Sequence, residues 1–144
     1  MIHRYVVDAS VAAKWYFREE HSDRADALLE QRNEILAPGL LMIEIAALVW
    51  KRARRGEISE ATANRIVTEL RKVPLEIKPT TELVAAALPL AATRGMTLYD
   101  AFYAALAVHS GCPLITGDRK LYDVLRGGPL ADHALWLGDF DPLP

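Results

Sequence analysis

Apolar positions along the chain follow two alternating rhythms. Short apolar runs bounded by turn residues read as strands: buried ones at 4–7 and 113–116, a short one at 34–37 and a short, alternating one at 75–78. A weaker run at 134–137 reads as a last strand. Between them lie stretches with helical spacing: 11–17, 21–32, 40–55, 59–72, 80–94, 97–109 and 118–125. In the second of these, Ala25, Leu28 and Leu29 form one apolar face. Pro38-Gly39, Gly56, Gly95, Gly111 and Gly127-Gly128-Pro129 supply the stop signals. Pro89 is expected to kink or split its helix. Strands that alternate with helices throughout predict an α/β fold: a three-layer α/β/α sandwich on a short-stranded, mainly parallel sheet. No repeat or linker interrupts the pattern, so residues 1–144 read as a single domain.

Composition narrows the function without fixing it. The chain has 144 residues, 51% hydrophobic and 25% charged, which suits a globular domain with a real core. A net charge of −2 removes any domain-wide basic character, so nucleic acid could be met only by a local patch. A lone cysteine, Cys112, excludes an intrachain disulfide and points to a reducing compartment. The opening MIHRYVVDAS turns acidic and polar too soon for a signal peptide. No run approaches the roughly 18 apolar residues of a membrane helix. A cytoplasmic protein without a membrane partner is expected.

Four acids carry the candidate chemistry. Asp8 and Asp118 each follow an apolar strand, where ligands gather in parallel α/β sheets. Either could simply cap the helix that follows. Asp100 opens a helix that is otherwise apolar, with Tyr103, Ala104 and Ala107 on its face. Thr97-x-x-Asp100 also fits a capping box. Glu44 is harder to explain as a cap. Its helix is apolar nearly all round, and Leu40, Leu41 and Leu48 are its helical neighbours. A carboxylate there needs a salt-bridge partner or a cation. Taken together, four convergent carboxylates would repel unless protons or a metal intervene. Their hard oxygens select Mg²⁺ or Mn²⁺ over zinc. His3, His21, His109 and His133 show no zinc spacing, and His21 and His133 read as surface residues.

The ordered set Val6-Val7-Asp8-Ala9-Ser10-Val11, Pro38…Glu44, Thr97-Leu98-Tyr99-Asp100-Ala101 and Pro113-Leu114-Ile115-Thr116-Gly117-Asp118 resembles the PIN-domain ribonucleases, and within them the VapC toxins of toxin–antitoxin pairs. The alanine-rich 103–107 segment and the closing Leu137-Gly138-Asp139-Phe140 extend the likeness over nearly the whole chain. What the resemblance implies is a metal-dependent endoribonuclease, often dimeric, neutralised by a cognate antitoxin. It matches Asp8, Glu44, Asp100 and Asp118 to the family's acidic cluster, Thr116 to its hydroxyl and Ser10 to a small polar neighbour of the first acid. Ala47 departs from the pattern, because many relatives have a polar residue there.

On that basis Asp8, Glu44, Asp100 and Asp118 are the expected ligands of Mg²⁺ (or Mn²⁺), with Thr116 orienting a carboxylate or a water during RNA phosphodiester hydrolysis. Lys14, Arg119 and Lys120 are candidates for RNA backbone contacts, against the ordinary alternative of a solvated surface. Trp15, Tyr16, Phe17, Val49 and Trp50 exceed what one small core needs, so some could form a homodimer face or an antitoxin groove; the plainer alternative is core. Two other functions compete. One is a catalytically weak PIN-like RNA-binding or scaffold module, against which all four acids are present. The other is a phosphatase on a similar fold, against which Ser10 stands where a second aspartate is needed.

Overall fold

In the computed structural model, which describes residues 2–142, five strands form one sheet in the order β3-β2-β1-β4-β5, with every neighbouring pair parallel. They are β1 (His3–Val7), β2 (Asn33–Pro38), β3 (Leu75–Lys78), β4 (Leu114–Thr116) and β5 (Ala134–Trp136). The helices are α1 (Ala9–Ala12), α2 (Ser22–Glu30), α3 (Leu40–Arg54), α4 (Glu60–Leu70), α5 (Val84–Arg94), α6 (Leu98–Ser110) and α7 (Arg119–Arg126). Position 1 and positions 143–144 of the expected domain lie outside the described residues. Among those residues no helix is long and apolar enough to cross a membrane.

The apolar strand runs are continuous because both faces of the sheet are covered. Adjacent residues in a strand point to opposite faces. Val6, Leu36 and Leu114 enter one buried cluster, whereas Val7, Ile35 and Ile115 enter another. The first cluster is closed by α6 lying on β1 and β2, with α5 packed on α6, and by α3, which carries α4. Buried Ala101, Ala104, Ala105 and Ala107 let α6 approach the sheet closely. The second cluster is closed by Leu28 of α2 and by Leu137 and Phe140. Three layers result, as the alternation of elements predicts.

The chain builds β1, β2 and β3 outward on one side. It then returns through α5 and α6 to place β4 on the other side of β1. The carboxyl ends of β1 and β4 therefore flank the switch in strand order, where α/β sheets open a crevice.

Several elements differ from expectation. The helix after Asp8 is a single α-turn, α1, followed by a 3-10 turn at Ala13–Trp15, rather than one helix over 11–17. Segment 80–94 does divide, but at Leu83, where a 3-10 turn (Thr80–Leu83) meets α5; Pro89 sits inside α5. Pro89 and Ala85 are both exposed, so the carbonyl that loses its amide partner faces water. Leu29 is exposed and does not share the buried face of Ala25 and Leu28. The apolar helix α3 is not buried all round, since Ile43 is 67% and Trp50 63% exposed. Val49 is core, and Trp15, Tyr16 and Phe17 pack against the core, so of the five surplus apolar residues only Trp50 is left on the surface.

Candidate active site

The strands deliver the acids to one edge. β1 ends at Val7, and Asp8 caps α1 by accepting the Val11 N–H at 3.2 Å. β4 ends at Thr116, and Asp118 caps α7 by accepting the N–H groups of Lys120 at 3.0 Å and Leu121 at 3.2 Å. β2 ends at Pro38 and passes through Gly39 into α3, whose first N–H (Leu40) donates to the Thr80 hydroxyl at 2.7 Å. That long-range cap anchors the first turn of α3, and Glu44 follows one turn later. Thr97 caps α6 by accepting the Asp100 N–H at 3.0 Å, which sets Asp100 in the first turn.

Asp8 is the most enclosed of the four, at 5% exposure. Its Oδ1 accepts the Ser10 hydroxyl at 2.5 Å, and its Oδ2 accepts the Thr116 hydroxyl. Thr116 in turn accepts the Asp118 N–H at 3.0 Å, and Ser10 accepts the Gly117 N–H at 2.8 Å. Two hydroxyls thus tie the end of β1 to the end of β4. Burial pushes Asp8 up to about 6; the bonds from Ser10, Thr116 and Val11 pull it down, and the charge of Asp100 pushes it up again.

The other acids are coupled to it in a line. Asp100 lies above its ordinary value through burial first and the charge of Asp118 second, with a Thr97 hydrogen bond and the Lys120 charge opposing. Glu44 is raised by burial and by Asp100, and is opposed by the Tyr103 hydroxyl. Tyr103 donates to Glu44 Oε1 at 2.5 Å, and burial followed by the Glu44 carboxylate holds its phenol firmly protonated. Asp100 is therefore the hub, sensed by Asp8 and by Glu44 and itself sensing Asp118.

The expectation that the four acids meet needs one correction. Among the described residues no three His, Cys, Asp or Glu side chains stand close enough to form a ready-made metal pocket. The acids act on one another pairwise through Asp100 rather than as a collapsed cluster. The donor chemistry nonetheless fits a hard divalent cation: the groups are all oxygen, and three of the four are raised by burial or by one another.

The basic residues separate. Lys14 is 9% exposed, not a solvated lysine, and its ammonium pairs with Glu19 at 3.2 Å. Its stem runs past Gly117, where an added Cβ would come within 3.1 Å of Lys14 Cε. Lys120 is exposed and acts on Asp100. Arg119 makes no ion pair among the described residues, and its guanidinium lies over the Trp136 ring at 4.1 Å. His21 is not a plain surface residue; its ring meets Trp136 edge-on. Tyr103 is the site residue that sequence reasoning treated only as packing. The signal was its place three residues after Asp100, on the same helical face.

Comparison with known proteins gives a consistent answer. The family model described as PIN domain matches residues 5–126. A protein of Pyrobaculum aerophilum named Ribonuclease VapC3 is 38% identical over 120 residues, spanning 82% of this chain and 92% of the relative. A second protein of that organism, Exonuclease VapC9, is 35% identical over 128 residues, spanning 85% and 86% respectively. The crystal structure of PAE2754 from the same organism superposes with a TM-score of 0.71 at 27% identity, covering 94% of this chain and 85% of that one.

Proposed function

The chain belongs to the PIN-domain family, and on that premise we propose that it is a VapC-type endoribonuclease, the toxin of a toxin–antitoxin pair, dependent on Mg²⁺ or Mn²⁺. The observation that carries the reading is the buried Asp8, held through both oxygens by Ser10 and Thr116 beside the switch between β1 and β4, with the charge of Asp100 acting on it. A lone cap has no reason to be buried beside a second acid, whereas a cleft that holds a divalent cation against a phosphodiester has every reason to gather carboxylates.

In this proposal Asp8, Asp100, Asp118 and Glu44 would hold the ion. When bound, it supplies positive charge to the phosphate and lowers the pKa of a water. The residues of the chain do the rest. Ser10 and Thr116 fix both oxygens of Asp8, so its orientation is set before substrate arrives. Tyr103 fixes Glu44, whose raised affinity for a proton suits it to accept one from the attacking water. The water oxygen bonds to phosphorus, the bond to the leaving nucleoside oxygen breaks, and that oxygen takes up a proton. Lys120 offers positive charge next to Asp100 for the RNA backbone, and Lys14, held by Glu19, would reach it past the Gly117 loop.

The partners in this reading are RNA, an antitoxin and a second copy of the chain, in the cytoplasm. The exposed Trp50 beside Ala46, Ala63 and Val67, in the groove between α3 and α4, suits a helical antitoxin segment. Purified protein is expected to cleave single-stranded RNA internally with Mg²⁺ or Mn²⁺ and to stop in EDTA. Trimming only from the ends would instead match the name of the second relative.

A further inference from the structure

A second set of side chains lies next to the acids and takes no part in them. Trp136, the last residue of β5, is in register with Thr116, the hydroxyl that holds Asp8. Its indole is held from several sides. Tyr122 of α7 lies tilted against it at 5.8 Å between centroids, and His21 meets it edge-on at 6.3 Å. Gly138 makes room for the arrangement. A Cβ there would overlap the Trp136 indole and come within 3.0 Å of His21 Nε2. His21 is the only non-glycine residue with positive φ among the described residues, at 67°, so the backbone accepts strain where its ring is presented.

Over this aromatic floor lies Arg119, with its guanidinium carbon 4.1 Å from the Trp136 ring and 5.6 Å from that of Tyr122. Arg4, Arg18, Arg52, Arg65 and Arg126 pair with carboxylates, but Arg119 pairs with none among the described residues. It is exposed, and it directly follows Asp118. A planar cation laid on an indole, with no ion pair to leave, gives a charged flat surface beside a phosphate-hydrolysing cleft.

We propose that Arg119, floored by Trp136 and braced by Tyr122 and His21, is the stacking platform for one unpaired nucleobase of the RNA strand next to the cleaved phosphate. The ligand chemistry follows from the surface. A base is flat and offers a π-face, its backbone is anionic, and an unpaired base is the one whose face is free. The platform selects single strands over duplexes and is tolerant of base identity. It rests on the nuclease reading above, and the two can fail separately.

The test has a kinetic and a binding part. An unstructured oligoribonucleotide is cleaved with Mg²⁺, then its bases near the cut are replaced one at a time by abasic sites. Wild-type kcat/KM is expected to fall about tenfold at one position, within the range measured for loss of a stacked base. Arg119→Lys keeps the charge and loses the plane, so its ratio of intact to abasic kcat/KM should fall to about one. For binding, Trp50→Phe removes the exposed indole, and Asp100→Asn is added to prevent turnover. Short single-stranded RNA should then quench Trp136 fluorescence, while the same sequence as a duplex or with the abasic site should not. Trp136→Phe should abolish the quench, with the melting temperature recorded as a check on folding. Equal quenching by duplex, no quenching, or cleavage indifferent to every abasic site would overturn the platform. Absence of any cleavage with the quench intact would overturn the nuclease reading and leave the platform standing.

Discussion

Asp8 and Asp118 look alike in sequence and behave differently in the fold. Each follows a strand, each caps the next helix, and the two strands are neighbours. Asp8 is buried, tied by two hydroxyls and pushed up to about 6. Asp118 is exposed and, among the described residues, accepts only the two backbone amides of its own cap. The difference comes from depth. β1 is the central strand, so its end lies under α6 and the β4 loop, whereas the β4 end opens toward α7 and solvent. A capping role therefore does not exclude the proposed catalytic one. At Asp8 the cap is one of the bonds that fix the orientation of the carboxylate.

The largest effect that tests this contrast is expected at the hub. Asp100→Asn should lower RNA cleavage on the order of 10²–10³-fold, the usual loss when one charge-stabilising group is removed from a site. It should leave the fold intact, because Thr97 still caps α6 through the backbone amide. A loss below tenfold in steady-state cleavage assays would place the hub elsewhere. Next comes Thr116→Val, which takes the hydroxyl from Asp8 and the acceptor from the Asp118 amide. Cleavage should fall about 10–100-fold, as for groups that orient ligands. Stability should fall by about 1–3 kcal/mol in denaturant titration, because a buried acceptor and a donor lose their partner.

Tyr103→Phe should have a smaller effect. Removing the hydroxyl removes the one hydrogen bond that lowers Glu44, so Glu44 should hold its proton to higher pH. The acidic limb of the pH–rate profile should move upward while the alkaline limb stays. An unmoved profile would separate Glu44 from the chemistry. Smallest of all, Asp118→Asn should change stability by only a few tenths of a kcal/mol, since asparagine caps a helix about as well. A destabilisation of Asp118→Asn as large as that of Thr116→Val would erase the distinction between the buried and exposed acids.

How far the sequence foretold this depends on the range of the interaction. The continuous apolar runs at Val6-Val7 and Leu114-Ile115 announce strands covered on both faces, and the sheet, expected to be mainly parallel, is wholly parallel. Thr97 and Gly111 mark helix ends by local chemistry, and both act as read. The helix after Asp8 is shorter than its helix-favouring residues predict, because Trp15 is drawn off by its indole N–H, which donates to the Ala25 carbonyl at 2.8 Å. The order of the acids was legible, but their spacing was not, since repulsion across elements leaves no local trace. Tyr103 was hidden for the same reason. Among alanines and leucines a tyrosine reads as packing until Glu44, 59 residues away, is brought to its hydroxyl. The Arg119–Trp136 contact joins α7 to β5, and no spacing rule links the two.

Depth also fixes a pH dependence for the metal-free protein. Because folding raises Asp8 from 3.8 to about 6, the folded state binds the extra proton between those values. The contribution of Asp8 to stability is therefore most favourable below about pH 4, is lost as pH rises through about 6, and is constant beyond. At neutral pH the penalty is on the order of 3 kcal/mol, from about 1.4 kcal/mol per pKa unit.

The most direct measurement follows from that penalty: thermal melts of the wild type and Asp8→Asn across pH 4–8, with and without Mg²⁺. Without metal, Asp8→Asn should be as stable as the wild type near pH 4 and more stable, by on the order of 1–3 kcal/mol, above pH 6. With Mg²⁺ the wild type should gain stability and Asp8→Asn should not. A large loss of stability in metal-free Asp8→Asn at neutral pH, or equal stabilisation of both proteins by Mg²⁺, would contradict a buried acid held ready for a cation and leave Asp8 as a helix cap alone.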